Sequence, residues 1–146
     1  MLRGNYAARI DEKARLKIPN AFRALVEEAH GSEVFVTSLT GESVRIYPMP
    51  VWLALEERLA RAPSSHPSRN KFLDRVNYYG QSAEIDAQGR VLIHQRLRDA
   101  AGMAGEVDVL GSVDRLDVWN HDRLVAKMLS DPYTDDDARA LSEFGI

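Results

Sequence analysis

The sequence predicts an α+β protein made of two copies of one β-α-β-β-α module, and three observations predict it. The stretch DEKARLKIPNAFR, Asp11 to Arg23, recurs as DAQGRVLIHQRLR, Asp86 to Arg98. At an offset of 75 residues Asp11 matches Asp86, Arg15 matches Arg90, Ile18 matches Ile93 and Arg23 matches Arg98. Self-similarity at a fixed offset marks one supersecondary unit used more than once. More loosely, VFVTSLTGESVRIYPMPVW (34–52) and VDVLGSVDRLDVWNHDRL (107–124) each read as two short β runs around a turn, with a helix start behind them. Finally, 146 residues at 45% hydrophobic content are one ordinary domain's worth of chain, enough for one core and short for two. The repeats, 1–61 and 81–130, are therefore expected to share a core, with a linker and helix at 62–80 and an acidic tail or short helix at 131–146.

Each element has its own signal. From Arg9 to Lys17 every odd position is charged (Arg9, Asp11, Lys13, Arg15, Lys17), while Ala8, Ile10, Ala14, Leu16 and Ile18 alternate with them. Strict alternation is the pattern of a half-buried strand pair. In the second copy Glu84, Asp86, Gln88 and Arg90 form the outer face and Ile85, Val91 and Ile93 the inner one. The first face sums to +3 and the second to −1. Between the strands of the second copy lies Asp86-Ala87-Gln88-Gly89, where the aspartate can accept backbone N–H groups and Gly89 can take positive φ. Asp11, Asp86 and Gly89 are thus structural turn residues. Arg15 and Arg90 then emerge on a rim where the returning strand begins. Arg90 is equally suited to an ion pair that closes the hairpin and to a phosphate; Arg15, between Lys13 and Lys17, favours a phosphate or base contact.

Helices follow by spacing. Phe22, Leu25, Val26 and Ala29 make one apolar stripe over 19–29, ended by Gly31, and its counterpart runs from about Gln95 to Gly102. Behind Pro48 and Pro50, Trp52, Leu55 and Leu59 give a second stripe, which Leu124, Val125, Met128 and Leu129 repeat behind an Asn120 cap. APSSHPS (62–68) reads as a loop, Phe72, Val76 and Tyr79 as one more helix before Gly80, and Thr134 with Asp137 as a capping box opening a helix over 134–144.

The formal net charge of −3 conceals an uneven distribution. Residues 1–23 hold six basic side chains against two acidic ones, and residues 131–146 hold one against five. A local basic patch attracts phosphate whatever the total, although a solvated basic terminus gives the same count. Arg69, Lys71 and Arg75 make a secondary basic candidate. No cysteine is present, which excludes disulfides and thiolate zinc sites and suits a reducing cytoplasm. No apolar run has the length of a membrane span, and no hydrophobic signal region follows Arg3. His30, His66, His94 and His121 stand in unrelated contexts, and no H-E-x-x-H, P-loop or G-x-S-x-G motif occurs. The Asp135 to Asp137 run lacks the spacing and glycine of a calcium loop. A non-enzyme without metal or cofactor is expected.

The opening MLRGNYAARIDEKARLKIPNAFR, the second DAQGRVLI, and the RIYP and DVW segments resemble the MraZ family of bacterial transcription regulators, built from SpoVT/AbrB-like domains. The resemblance runs from Met1 to about Leu129, and the Asp-x-x-x-Arg in register in both halves makes it specific. It implies two SpoVT/AbrB-like repeats sharing a swapped-hairpin, barrel-like β core with helices outside. It also implies ring-like homo-oligomers and binding to short repeats in the promoter of the protein's own division and cell-wall gene cluster. Two positions depart from the pattern: Ala14 stands where the first turn usually has glycine, and His94 where Pro19 predicts proline at a helix start. The expected function is a cytoplasmic, nucleoid-associated regulator that binds double-stranded DNA. Lys13, Arg15, Lys17 and Arg90 are its candidate contacts, with Arg3 on a phosphate. The alternative is a ring-forming scaffold whose basic face meets an acidic protein.

Overall fold

The computed structural model describes residues 1–146. In chain order the elements are β1 (Asn5–Arg9), β2 (Arg15–Lys17), α1 (Asn20–His30), β3 (Glu33–Thr37), β4 (Val44–Pro48), α2 (Met49–Arg61) and α3 (Pro67–Tyr78). They are followed by β5 (Gln81–Glu84), β6 (Arg90–Leu92), α4 (Gln95–Ala101), β7 (Glu106–Ser112), β8 (Arg115–Asn120), α5 (His121–Ser130) and α6 (Asp135–Ser142). The protein is α+β, as the sequence predicts, and the strand run before α1 and α4 is split in each copy by the aspartate turn.

Pairing between strands shows why neither repeat stands alone. A six-stranded sheet has the order β1-β7-β8-β4-β3-β5, and β2 and β6 form a separate two-stranded ribbon. So β1 of the first repeat lies on β7 of the second, and β5 of the second lies on β3 of the first. The hairpins are exchanged between repeats. A single bridge, Ile10 to Leu16, links the ribbon to the β1 chain. In the ribbon Leu16 faces Val91, its own equivalent 75 residues on, so a pseudo-two-fold axis runs through that pair. The same axis passes between β4 and β8 at Arg45 and Asp117, where Val44–Val118 and Ile46–Leu116 mirror one another.

The shared core follows from that axis. Leu16, Ile18, Phe22 and Val26 meet Val91, Ile93, Leu97 and Ala101 in one cluster of 19 buried residues, and each of the first four has its equivalent in the second. Burying a large aliphatic or aromatic side chain contributes about 1.5–3 kcal/mol, so splitting the repeats would expose the main source of stability. Ala14 is buried and all of Ile85, Val91 and Ile93 point inward, as alternation predicts.

A smaller cluster lies on the outer face of β3 and β4. Trp52 of α2 stacks on Phe35 at 4.4 Å between ring centroids, Val76 and Phe72 of α3 close over it, and the buried Thr37 hydroxyl donates to the Val76 carbonyl at 2.6 Å. The second repeat has no such layer. Phe35 faces Tyr47, whereas Asp108 holds the corresponding place opposite Trp119, and α5 buries no residue. This corrects the stripe expected of Leu124, Val125, Met128 and Leu129: Met128 is 58% and Leu129 79% exposed. Helical spacing marks an apolar face but does not say whether the chain covers it. Likewise Phe22 and Val26 alone of the α1 stripe are buried, and Leu25 is exposed.

Candidate nucleic-acid interface

Both aspartate turns are built by the same rule. The Asp11 Oδ1 accepts the backbone N–H groups of Lys13 and Arg15, each at 2.9 Å, and the Ala14 N–H donates to the Asp11 carbonyl at 3.0 Å. In the second turn Asp86 Oδ1 accepts from Gln88 at 2.8 Å and Arg90 at 2.9 Å, and the Gly89 N–H donates to the Asp86 carbonyl at 2.9 Å. Each turn needs one residue in the left-handed region. Gly89 has φ 79°, and Ala14 adopts φ 66° at the matching position despite its Cβ. The turns lock onto each other across the axis, since the Ile18 N–H donates to the Gly89 carbonyl at 2.8 Å and the Ile93 N–H to the Ala14 carbonyl at 3.0 Å.

This locking brings the two Asp-x-x-x-Arg motifs together. The Arg15 Nε lies 3.0 Å from Asp11 Oδ2, while Arg90 lies 3.8 Å from that same oxygen and 3.7 Å from Asp86 Oδ2. Both arginines are about a quarter exposed, and the Arg90 Nε is buried without a hydrogen-bond partner. Backbone N–H donation, from Arg15 to Asp11 and from Arg90 to Asp86, is the main cause holding both carboxyls below the usual 3.8, with the arginine charges adding to it. Ion pairs this exposed add little to stability. Their consequence is position: Asp11 holds the Arg15 guanidinium by a hydrogen bond, Arg90 stands between the two carboxylates at ion-pair distance, and both keep donors for an outside acceptor.

The other sequence-predicted residues divide. Lys13 is exposed at the tip of the first turn and makes no ion pair. Lys17, directly opposite Arg90 in the ribbon, turns its ammonium to the Gln88 carbonyl of the second turn. Arg3 stands apart, beyond the far end of β1 beside the Leu2–Val113 bridge. Eight residue steps of mostly extended chain separate it from Asp11, roughly 25 Å at about 3.3 Å per residue. Arg23, which the repeat flags through Arg98, also reaches this site: its Nη2 donates to the Ala87 carbonyl at 3.1 Å. His94 Nε2 lies 2.6 Å from the Tyr79 carbonyl and ties α4 to the end of α3. No three His, Asp or Glu side chains converge to hold a metal ion, and no helix is long and apolar enough to cross a membrane.

Known proteins resemble this sequence along most of its length. A family model described as "MraZ protein, putative antitoxin-like" matches residues 1–75 and again 80–144, one match per repeat. A protein of Acidobacterium capsulatum named transcriptional regulator MraZ is 47% identical over 146 residues, covering 100% of both chains. One of the same name from Koribacter versatilis is 45% identical over 147 residues, again covering 100% of both, and one from Leuconostoc citreum is 37% identical over 120 residues, 82% of this chain and 81% of its own. With both repeats matched and relatives this similar end to end, the chain belongs to the MraZ family.

Proposed function

We propose that this protein is a transcriptional regulator that binds double-stranded DNA through the paired aspartate turns. The observation that carries the reading is the convergence of Arg15 and Arg90 on one rim, both beside the Asp11 carboxylate, with the free Lys13 two residues before Arg15. A two-stranded ribbon can enter a groove, and an arginine there can make a bidentate contact to guanine worth about 1–3 kcal/mol of discrimination. The names of the relatives support regulation of transcription. The family resemblance extends the reading to promoter-proximal repeats of a division and cell-wall gene cluster, the protein's own promoter included, and to a cytoplasmic, nucleoid-associated location. Arg3, remote from the rim, takes no part in base reading. A ring-like homo-oligomer fits the exposed apolar side chains of α5 and of the residues flanking α6, since large exposed apolar surface usually marks an interaction face.

The test is a mobility-shift titration on the DNA upstream of the protein's own gene, with Arg15→Ala and Arg90→Ala alongside. The first turn carries the larger positive charge, so Arg15→Ala is expected to cost more affinity than Arg90→Ala, by about tenfold or more, with melting temperatures within a few degrees of the unaltered protein. Unfolding of Arg15→Ala in calorimetry makes the Arg15–Asp11 pair structural. Absence of any specific shift with the unaltered protein leaves the scaffold with an acidic partner.

A further inference from the structure

The two turns share a backbone but differ in what holds them. Lys17 of β2 and Arg23 of α1, both in the first repeat, reach across the axis to the carbonyls of Gln88 and Ala87 in the second turn. Their equivalents 75 residues on are Leu92, which has no donor and is 54% exposed, and Arg98, whose Nε donates to the Ile93 carbonyl within its own repeat at 2.9 Å. The first turn receives no such grip. The glycine pattern records the same asymmetry. A Cβ on Gly89 would stand 3.0 Å from Arg23 Cδ, 3.1 Å from its Nη1 and 3.1 Å from Lys17 Nζ, whereas Ala14 carries its Cβ at the matching place. Lys17 also sits directly opposite Arg90, a like-charge pair that costs stability in a sheet unless one charge is turned aside. The Gln88 carbonyl takes the ammonium away from Arg90.

We infer that Lys17 and Arg23 are positioning residues for the DNA-reading rim: the first repeat uses them to fix the second turn, and so Arg90, a support that the first turn lacks. The inference rests on the proposed DNA binding. It removes Lys17 from the phosphate contacts and gives the second turn a side-chain support of its own.

Two measurements on the full-length protein separate the possibilities. Amide hydrogen exchange of the free protein is expected to speed up at Gln88, Gly89 and Arg90 in Lys17→Met and Arg23→Met, with Lys13 to Arg15 unchanged. DNA binding is then measured as a double-mutant cycle. Lys17→Met should weaken binding by about tenfold in the unaltered background, of the order of one lost base contact, and add almost nothing once Arg90→Ala is present. A direct phosphate contact predicts otherwise, since Lys17→Met would then lower the slope of log affinity against log salt by about 1 in both backgrounds. Additive losses, or a salt slope that falls in the Arg90→Ala background, overturn the positioning role. So does unchanged exchange at residues 88–90. If the unaltered protein binds no DNA, the functional reading fails and the rim role with it, while the exchange data still report on the grip itself.

Discussion

At the scale of single residues the decisive choice is how one carboxylate is divided. Asp11 and Asp86 each spend one oxygen on two backbone amides; the other oxygen of Asp11 accepts from Arg15 Nε at 3.0 Å, whereas that of Asp86 stands 3.7 Å from Arg90 Nε, an ion pair without a hydrogen bond. Both folded carboxyls titrate below the ordinary 3.8, so their contribution to stability is complete above that value and is lost as pH falls through it towards the folded value. Acid unfolding of the double variant Asp11→Asn/Asp86→Asn should accordingly be less steep below about pH 4 than that of the unaltered protein, followed by circular dichroism. Ala14 holds φ 66°, where an L side chain costs about 1 kcal/mol. Ala14→Gly should therefore leave stability unchanged or raise it slightly, because relief of strain offsets the greater entropy of the unfolded chain. A loss above about 1 kcal/mol in denaturant melts refutes strain at this position. The aspartate turns were legible in the sequence because a cap and its amides lie within five residues. The partners of Lys17 and His94 were not, since Gln88 and Tyr79 are brought near only by the exchange of hairpins and by the end of α3.

Elements repeat the lesson with longer spacing. Gly31 and Gly102 end α1 and α4 where the sequence places them, and the Thr134–Asp137 capping box opens α6, because these signals are local. The start of α5 combines a local and a remote contact. Asn120 caps it by accepting the Arg123 N–H at 3.1 Å, and His121 Nδ1 lies 2.7 Å from Asp108 on β7, whose other oxygen accepts from Asn5 of β1 at 3.2 Å. Asp108 is 5% exposed, a buried acid that alternation reads as an outward strand position. Its hydrogen bond, then its charge, raises the His121 pKa above 6.5, and Glu106 and Asp122 act in the same direction. A raised pKa means stabilisation that is complete below the unfolded value and fades as pH rises through the folded one. The melting temperature should fall as pH rises above about 6.5, and His121→Gln should flatten that dependence. An equal slope in the variant assigns the effect elsewhere.

The whole molecule is lopsided despite its internal symmetry. The first repeat covers its outer sheet face with α2 and α3 around Trp52, but in the second α5 stands without a covering helix, and α6, which occupies the place in chain order that α3 holds in the first, buries nothing. Val125, Met128 and Leu129 on α5, and Tyr133 and Phe144 on either side of α6, are left exposed. The proposed association of copies would give this surface something to bury, and would also answer a shortage at the rim. A rim with few free cations makes few phosphate contacts, so binding to one short site should be weak and fall steeply as salt rises. Linked rims convert later contacts into intramolecular ones, so tandem sites phased to the subunit spacing should bind tighter by about 10²-fold or more. The measurement is a titration of one, two and three repeats at fixed salt, with light scattering of the free protein and of Leu129→Glu/Phe144→Glu. The variant is expected to scatter as a smaller species and to lose the gain on tandem sites while keeping the single-site affinity, because its substitutions lie outside both turns. Equal affinity per molecule for one and three repeats, or a monomer at binding concentrations, removes association from the mechanism and leaves each chain to read DNA alone.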